Sequence, residues 1–250
     1  MRGLKIMVRW AWFGALLGFF FPAVAQNLLT NGNFDSGDTG FSATGMTGGV
    51  TYSGTLTALK YTVTNSPTLA NTASPAYGPS ANHTTGVGTK VYVTRGSNAT
   101  ATTTTVWSET ISGITSGRYT FSGYAASASS ANAPTIKLTV TQGTPTSGTF
   151  TAVNTGTVTP PTNTSVSNNW GLFEIGFNTT GYTGSLVFTI TMTTTAASNT
   201  TTRANAIAWD DFLLTSPEPS TWAAVGFLSL VVGERMWQWR RVRRRTGQGD

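Results

Sequence analysis

The sequence predicts an all-β antiparallel sandwich, on three observations. Threonine makes up 47 of the 190 residues from Gln26 to Thr215. It is β-branched and stiff at χ1, which suits strands, while abundant Gly, Asn and Ser supply turns. Apolar residues recur at a period of two through this region, with threonine on many alternate positions, and no long helical period occurs before Pro217.

In chain order, the first short alternations are Tyr61 with Val63 and Val91 with Val93, followed by Tyr119 with Phe121. Ile136, Leu138 and Val140 alternate with Thr135, Lys137, Thr139 and Thr141. Phe173, Ile175 and Phe177 do so through "LFEIGF", and Leu186, Phe188, Ile190 and Met192 through "LVFTITM". One apolar face and one Thr-rich face describe half-covered strands, so a single domain of about eight to ten strands is expected. The tracts "ATATTTTV", "TTTAASNTTT" and "VTPPTNTSVSNN" bury too little apolar area to order themselves and are expected as loops. Matches to the glycosylation sequon, such as "NHT" and "NAT", arise by chance in a chain so rich in Asn and Thr.

The net charge is +6, yet Gln26–Thr215 holds six basic and six acidic residues, so the excess lies in the two ends. A nucleic-acid partner needs a cationic surface on the folded part, and a neutral middle excludes one. Residues 1–25 read as a secretory signal: Arg2, Lys5 and Arg9 precede the apolar "WAWFGALLGFFF", and "AVA" places cleavage between Ala25 and Gln26. The competing reading is an N-terminal membrane anchor. There is no cysteine, so neither a disulfide framework nor a thiol site is available.

The other end is tripartite: Pro217-Glu218-Pro219, an apolar stretch, then Arg240, Arg241, Arg243, Arg244 and Arg245. The prolines end the sheet and leave an extended strip. A helix from Thr221 to Trp239 would be about 28 Å long at ~1.5 Å per residue, close to the hydrocarbon thickness. The arginines would then stay cytoplasmic. Glu234 and Arg235 interrupt the apolar run, at a cost unless they sit at the interface. This order resembles a PEP-CTERM sorting signal. The resemblance implies processing by an exosortase, transient inner-membrane anchoring and delivery to the envelope or matrix of an exopolysaccharide-making Gram-negative bacterium. An unprocessed C-terminal anchor is the alternative. The layout is 1–25 signal, 26–215 sandwich, 216–245 sorting segment and 246–250 tail.

The middle opens with "NLLTNGNFDSGDTGF" and closes with "AIAWDDFLL". With "VWSETISGITSGRYTFSGYAAS", "PTIKLTVTQG" and "NNWGLFEIGFNTTGYTGSLVFTI" between them, it resembles carbohydrate-binding jelly rolls of the galactose-binding-like type. Such domains often carry a calcium ion joining the first and last strands, which the resemblance maps onto Asp35 and Asp210, with Asp211 as a further ligand. Strict alternation puts Asp210 on the face of Phe212 and Leu214 and turns Trp209 and Asp211 away. A buried carboxylate needs a cation or hydrogen-bond donors. The competing reading is that Asp35 and Asp38 cap turns beside Gly32, Gly37 and Gly40.

Catalysis has little support. Glycoside hydrolysis wants two carboxylates flanking one bond, and Glu109 and Glu174 lie opposite apolar residues in their alternations, on an expected solvated face. His83 is the single histidine, in "GPSANHTTGVG", with no G-x-S-x-G elbow to make it part of a triad. Trp107, Tyr124, Trp170 and Tyr182 are candidates for stacking on sugar rings, set against a plain core role. The expected function is a non-enzymatic surface or matrix protein binding exopolysaccharide. A purely structural or adhesive glycosylated module is the second reading, and a secreted glycan hydrolase the third. Aromatics gathered on one open sheet face would favour the first, a Thr/Ser-only face the second.

Overall fold

The computed structural model describes residues 26–49, 56–65, 83, 90–97, 101–127, 133–161, 169–194 and 205–216. The signal segment 1–25, the motif Pro217-Glu218-Pro219 and the arginine cluster lie outside the described residues. Gln26–Ser216 form one compact unit whose core lies within its own residues.

The described chain is all β, with no helix: β1 (Thr47–Gly49), β2 (Lys60–Thr64), β3 (Val91–Arg95), β4 (Thr103–Ile114), β5 (Arg118–Ser127), β6 (Thr135–Ser147), β7 (Val153–Asn154), β8 (Gly171–Asn178), β9 (Thr183–Thr193) and β10 (Ala206–Thr215). They form a six-stranded sheet in the order β1-β2-β3-β10-β5-β8 and a four-stranded sheet in the order β4-β9-β6-β7. The β1–β2 pair is parallel and every other described pair antiparallel. This two-sheet architecture is consistent with a jelly-roll sandwich. "ATATTTTV" is not wholly a loop, since β4 begins inside it at Thr103 and pairs with β9 from Thr103↔Thr193 onward.

The apolar alternation becomes the inner face of each sheet. Ile136, Leu138 and Val140 of β6, Phe173 and Phe177 of β8, and Leu186, Phe188, Ile190 and Met192 of β9 join one core. Phe121, Trp107 and Phe212 stand at its centre, with ring centroids 5.2–5.7 Å apart. Burying such rings stabilises by about 1.5–3 kcal/mol each. Threonines fill the opposite face of the four-stranded sheet in register: Thr103–Thr193–Thr135, Thr105–Thr191–Lys137, Ser108–Thr189–Thr139 and Thr110–Val187–Thr141. An irregularity between Thr105 and Trp107 keeps Thr105 and Ser108 on one side of β4.

β3 is buried on both sides. Tyr92 enters the main core, while Val91 and Val93 join Leu56 and Ala208 in a second cluster on the outer face of the six-stranded sheet. β3 pairs with β10 from Ala206 to Trp209. Beyond that point the N-terminal segment serves the free edge of β10: Leu28 N donates to Leu214 O (3.0 Å), and Phe212 N donates to Gly32 O (2.8 Å). The two ends of the domain are thus joined by backbone hydrogen bonds.

Candidate functional site

The pairing of β10 with β5 carries the site. It runs Asp210↔Tyr124 and then Leu213↔Ser122, so β10 holds one extra residue, a β-bulge. Asp211 has φ of 51°, in the left-handed region. The bulge overturns strict alternation. Trp209, Phe212 and Leu214 all enter the main core, and Asp210, although only 1 % exposed, does not share the face of Phe212. It lies opposite Tyr124, which is turned from the core toward the outer face.

On that outer face the Asp210-Asp211 doublet receives His83. The His83 backbone N donates to Asp210 Oδ2 at 2.8 Å, and Asp211 N donates to Asp210 Oδ1 at 2.9 Å, so both oxygens of the buried carboxylate are satisfied. His83 Nδ1 donates to Asp211 Oδ2 at 2.8 Å, since a carboxylate only accepts. The imidazole lies parallel to the Tyr124 ring, centroids 3.5 Å apart and planes 15° apart. Trp170 presents its ring at 78° and 6.0 Å. Trp170 packs against the second cluster, and among the described residues its buried Nε1 has no hydrogen-bond partner.

Around this group, Tyr124 pairs with Leu172, which is 51 % exposed, and Ser122 pairs with the exposed Glu174. The result is a half-open patch of two aromatic rings and an imidazole, bordered by the Asp211 carboxylate and apolar Leu172. Such a mixture of flat apolar surface and a few hydrogen-bonding groups suits an oriented polar ring. An open hollow of about 490 Å³, lined by Thr44, Gly45, Leu59, Ser97 and Thr102 to Thr105, carries no aromatic or ionisable group and is not the site.

The four aromatic candidates separate. Tyr124 and Trp170 come together at His83. Trp107 is 1 % exposed in the core, and Tyr182 is fully buried, with its hydroxyl donating to Ser185 O. Neither can stack on a ligand, because neighbouring rings and strands already cover both faces. Glu174 is exposed as expected. Glu109 is not solvated but 6 % exposed, under the N-terminal segment, where its Oε1 accepts from Thr30 N at 2.8 Å. Burial raises its pKa, and the Thr30 hydrogen bonds oppose the rise.

The calcium ligands are not gathered. Asp35 is exposed; its Oδ1 accepts from Lys90 N at 3.0 Å and its Oδ2 from Asn33 Nδ2 at 2.8 Å. Asp210 and Asp211 bond to His83 and, through the Asp211 N–H, to each other, and among the described residues no three His, Cys, Asp or Glu side chains gather into one group. Among the described residues no hydroxyl bonds to a ring nitrogen of His83.

His83 was not legible as a site residue. Its signal was the meeting of a lone histidine with an acid doublet, separated by more than a hundred residues.

No family model and no curated protein matches the chain. Among solved structures it is similar to TmCBM61 in complex with β-1,4-galactotriose, at 16% identity and TM-score 0.46, over 77% of this chain and 100% of that one. It is similar to the enzymatically active domain of bacteriophage CBA120 tailspike protein 4, at 12% and 0.44, over 76% of this chain and 21% of that one. A family 16 carbohydrate-binding module matches at 15% and 0.40, over 76% and 100%.

Proposed function

We propose that the chain is an exported, non-enzymatic surface or matrix protein that binds exopolysaccharide on the outer face of its six-stranded sheet. The observation that carries this reading is the cluster of Tyr124, Trp170 and His83 over Asp211. A pyranose offers one apolar face to an aromatic ring and a rim of hydroxyls to a carboxylate and imidazole. In the same reading residues 1–25 direct export, and Pro217, Glu218 and Pro219 are processed by an exosortase-type enzyme while Arg240 to Arg245 remain cytoplasmic.

A glycan array with the Gln26–Ser216 unit tests the binding. Retention of one polysaccharide class, lost in Trp170→Ala and Tyr124→Ala, is the expected result. An array on which nothing is retained removes the reading. Sorting is tested separately: Glu218→Ala leaves a heavier, membrane-held precursor, and an unchanged mature mass removes that part.

The second reading, a structural or adhesive module without sugar binding, is favoured by the four-stranded sheet. Its outer rungs are almost wholly threonine and serine, with Lys137 the single charge among the paired positions named above. Binding abolished by substitutions at Tyr124 and Trp170 decides for the first reading.

A further inference from the structure

The sandwich covers most of its sheet edges. Ser42 exchanges two hydrogen bonds with Ser108 (2.7 and 2.8 Å) and Gly45 N reaches Thr105 O, so the outer edge of β4 is served by the N-terminal segment. β6 is flanked by β7 and by the Val158–Ile136 bridge. Leu28 and Gly32 close the edge of β10 beyond β3. β1, at the far end of the six-stranded sheet, is three residues long.

β8 is different. It stands at the end of that sheet, pairs with β5 over its whole length from Gly171 to Asn178, and among the described residues makes no backbone hydrogen bond on its other side. Its sequence, "GLFEIGFN", contains neither proline nor lysine, the usual edge-blocking residues, and Leu172 on it is 51 % exposed. A row of unpaired backbone groups on a strand this long is a template for another strand.

We infer that the free edge of β8 is a self-association surface, on which a second copy of this chain pairs antiparallel through its own β8. The strand is complementary to itself in one register. Opposite residues of an antiparallel pair share a face, so a two-fold axis falls on a residue. Centring on Glu174 sets two carboxylates directly opposite, which is repulsive. Centring on Ile175 instead pairs Glu174 with Gly176, Phe173 with Phe177 and Leu172 with Asn178. That places the aromatic pairs on the core side, where Phe173 and Phe177 already are, and no like charges meet. Moving the axis further either way shortens the overlap. The pairing is isologous and closes at two copies. It also sets two Tyr124–Trp170 patches on one continuous outer face, so a long polymer would meet two sites joined by a rigid sheet. This pairing does not depend on sugar binding.

Light scattering and sedimentation equilibrium of the Gln26–Ser216 unit over a range of concentrations test it, with a concentration-dependent dimer expected. Two substitutions at Gly176 read the register. A Cβ there meets nothing nearer than Tyr119 O at 4.0 Å, so either side chain can be accommodated. Gly176→Lys creates two cross-strand pairs with Glu174 and should tighten the dimer roughly three- to tenfold; Gly176→Glu creates two like-charge contacts and should weaken it by a similar factor. A monomer at every concentration overturns the proposal. Both substitutions moving the dissociation constant in the same direction overturns it as well, because a change in the fold or in β propensity has no such sign reversal.

Discussion

Asn27 and Leu214, at opposite ends of the domain, are bound directly: Leu214 N donates to Asn27 Oδ1 at 3.0 Å, while Asn27 Nδ2 donates to Phe212 O at 2.8 Å. One amide side chain therefore bridges the backbone of β10 at two points. It joins the same two chain ends that the sequence expected an ion to join. Asn27→Ala leaves both backbone groups short of a partner and should destabilise the domain by about 1–3 kcal/mol. Thermal melts of the two proteins should differ accordingly. A midpoint raised by Ca²⁺ would show that an ion shares the role.

Gly32 allows this approach. A Cβ at position 32 would lie 2.0 Å from Phe212 O, a backbone atom that cannot step aside. Gly32→Ala should cost about 1–3 kcal/mol or more through overpacking at the junction. Chemical denaturation should show a lower midpoint with an unchanged slope; an unchanged midpoint would mean that the N-terminal segment does not dock as described.

Glu109 makes stability depend on pH in the direction opposite to most carboxylates. Its folded pKa is raised by burial, so between the ordinary carboxylate value and the raised one the folded state holds more protons than the unfolded state. This group's contribution therefore falls as pH rises through that window, and its penalty is fully present above the folded pKa. Glu109→Gln keeps an oxygen for Thr30 N and removes the charge. It should raise the melting temperature at neutral pH and leave it nearly unchanged at pH below the window. A lower midpoint at neutral pH would indicate that the charged form is the favoured partner of Thr30.

Asp210 holds the backbone of His83 and of Asp211 at once. Asp210→Ala leaves two donors unsatisfied and should cost about 1–3 kcal/mol. It should also release the imidazole from Tyr124, which His83→Ala does without disturbing the bulge. Near-ultraviolet circular dichroism reads the tyrosine environment. The two variants should share a spectral change while only Asp210→Ala lowers the melting midpoint substantially.

Trp107 and Trp170 were indistinguishable as candidates in the sequence and should part in experiment. Trp107→Ala empties the centre of the core and should destabilise by about 3–5 kcal/mol. Trp170→Ala should cost markedly less, since its ring covers only the small outer cluster. Equal losses would place Trp170 in a larger core than described.

The sequence by itself determined the all-β class, the inner faces of β6, β8 and β9, and the special status of the Asp210-Asp211 doublet. Those features are local: apolar residues at a period of two must share a face, and two adjacent acids in an apolar strand need partners wherever the strand lies. Tertiary structure alone decided the rest. Which face Asp210 takes depends on one extra residue in β10, a bulge held by Gly32 and His83 from far along the chain. Whether an aromatic is core or surface depends on what packs over it, and Trp107 and Trp170 differ only in that. A period read along one strand carries no record of an inserted residue or of a partner more than a hundred positions away. Long-range hydrogen bonds and the competition for buried space settle both.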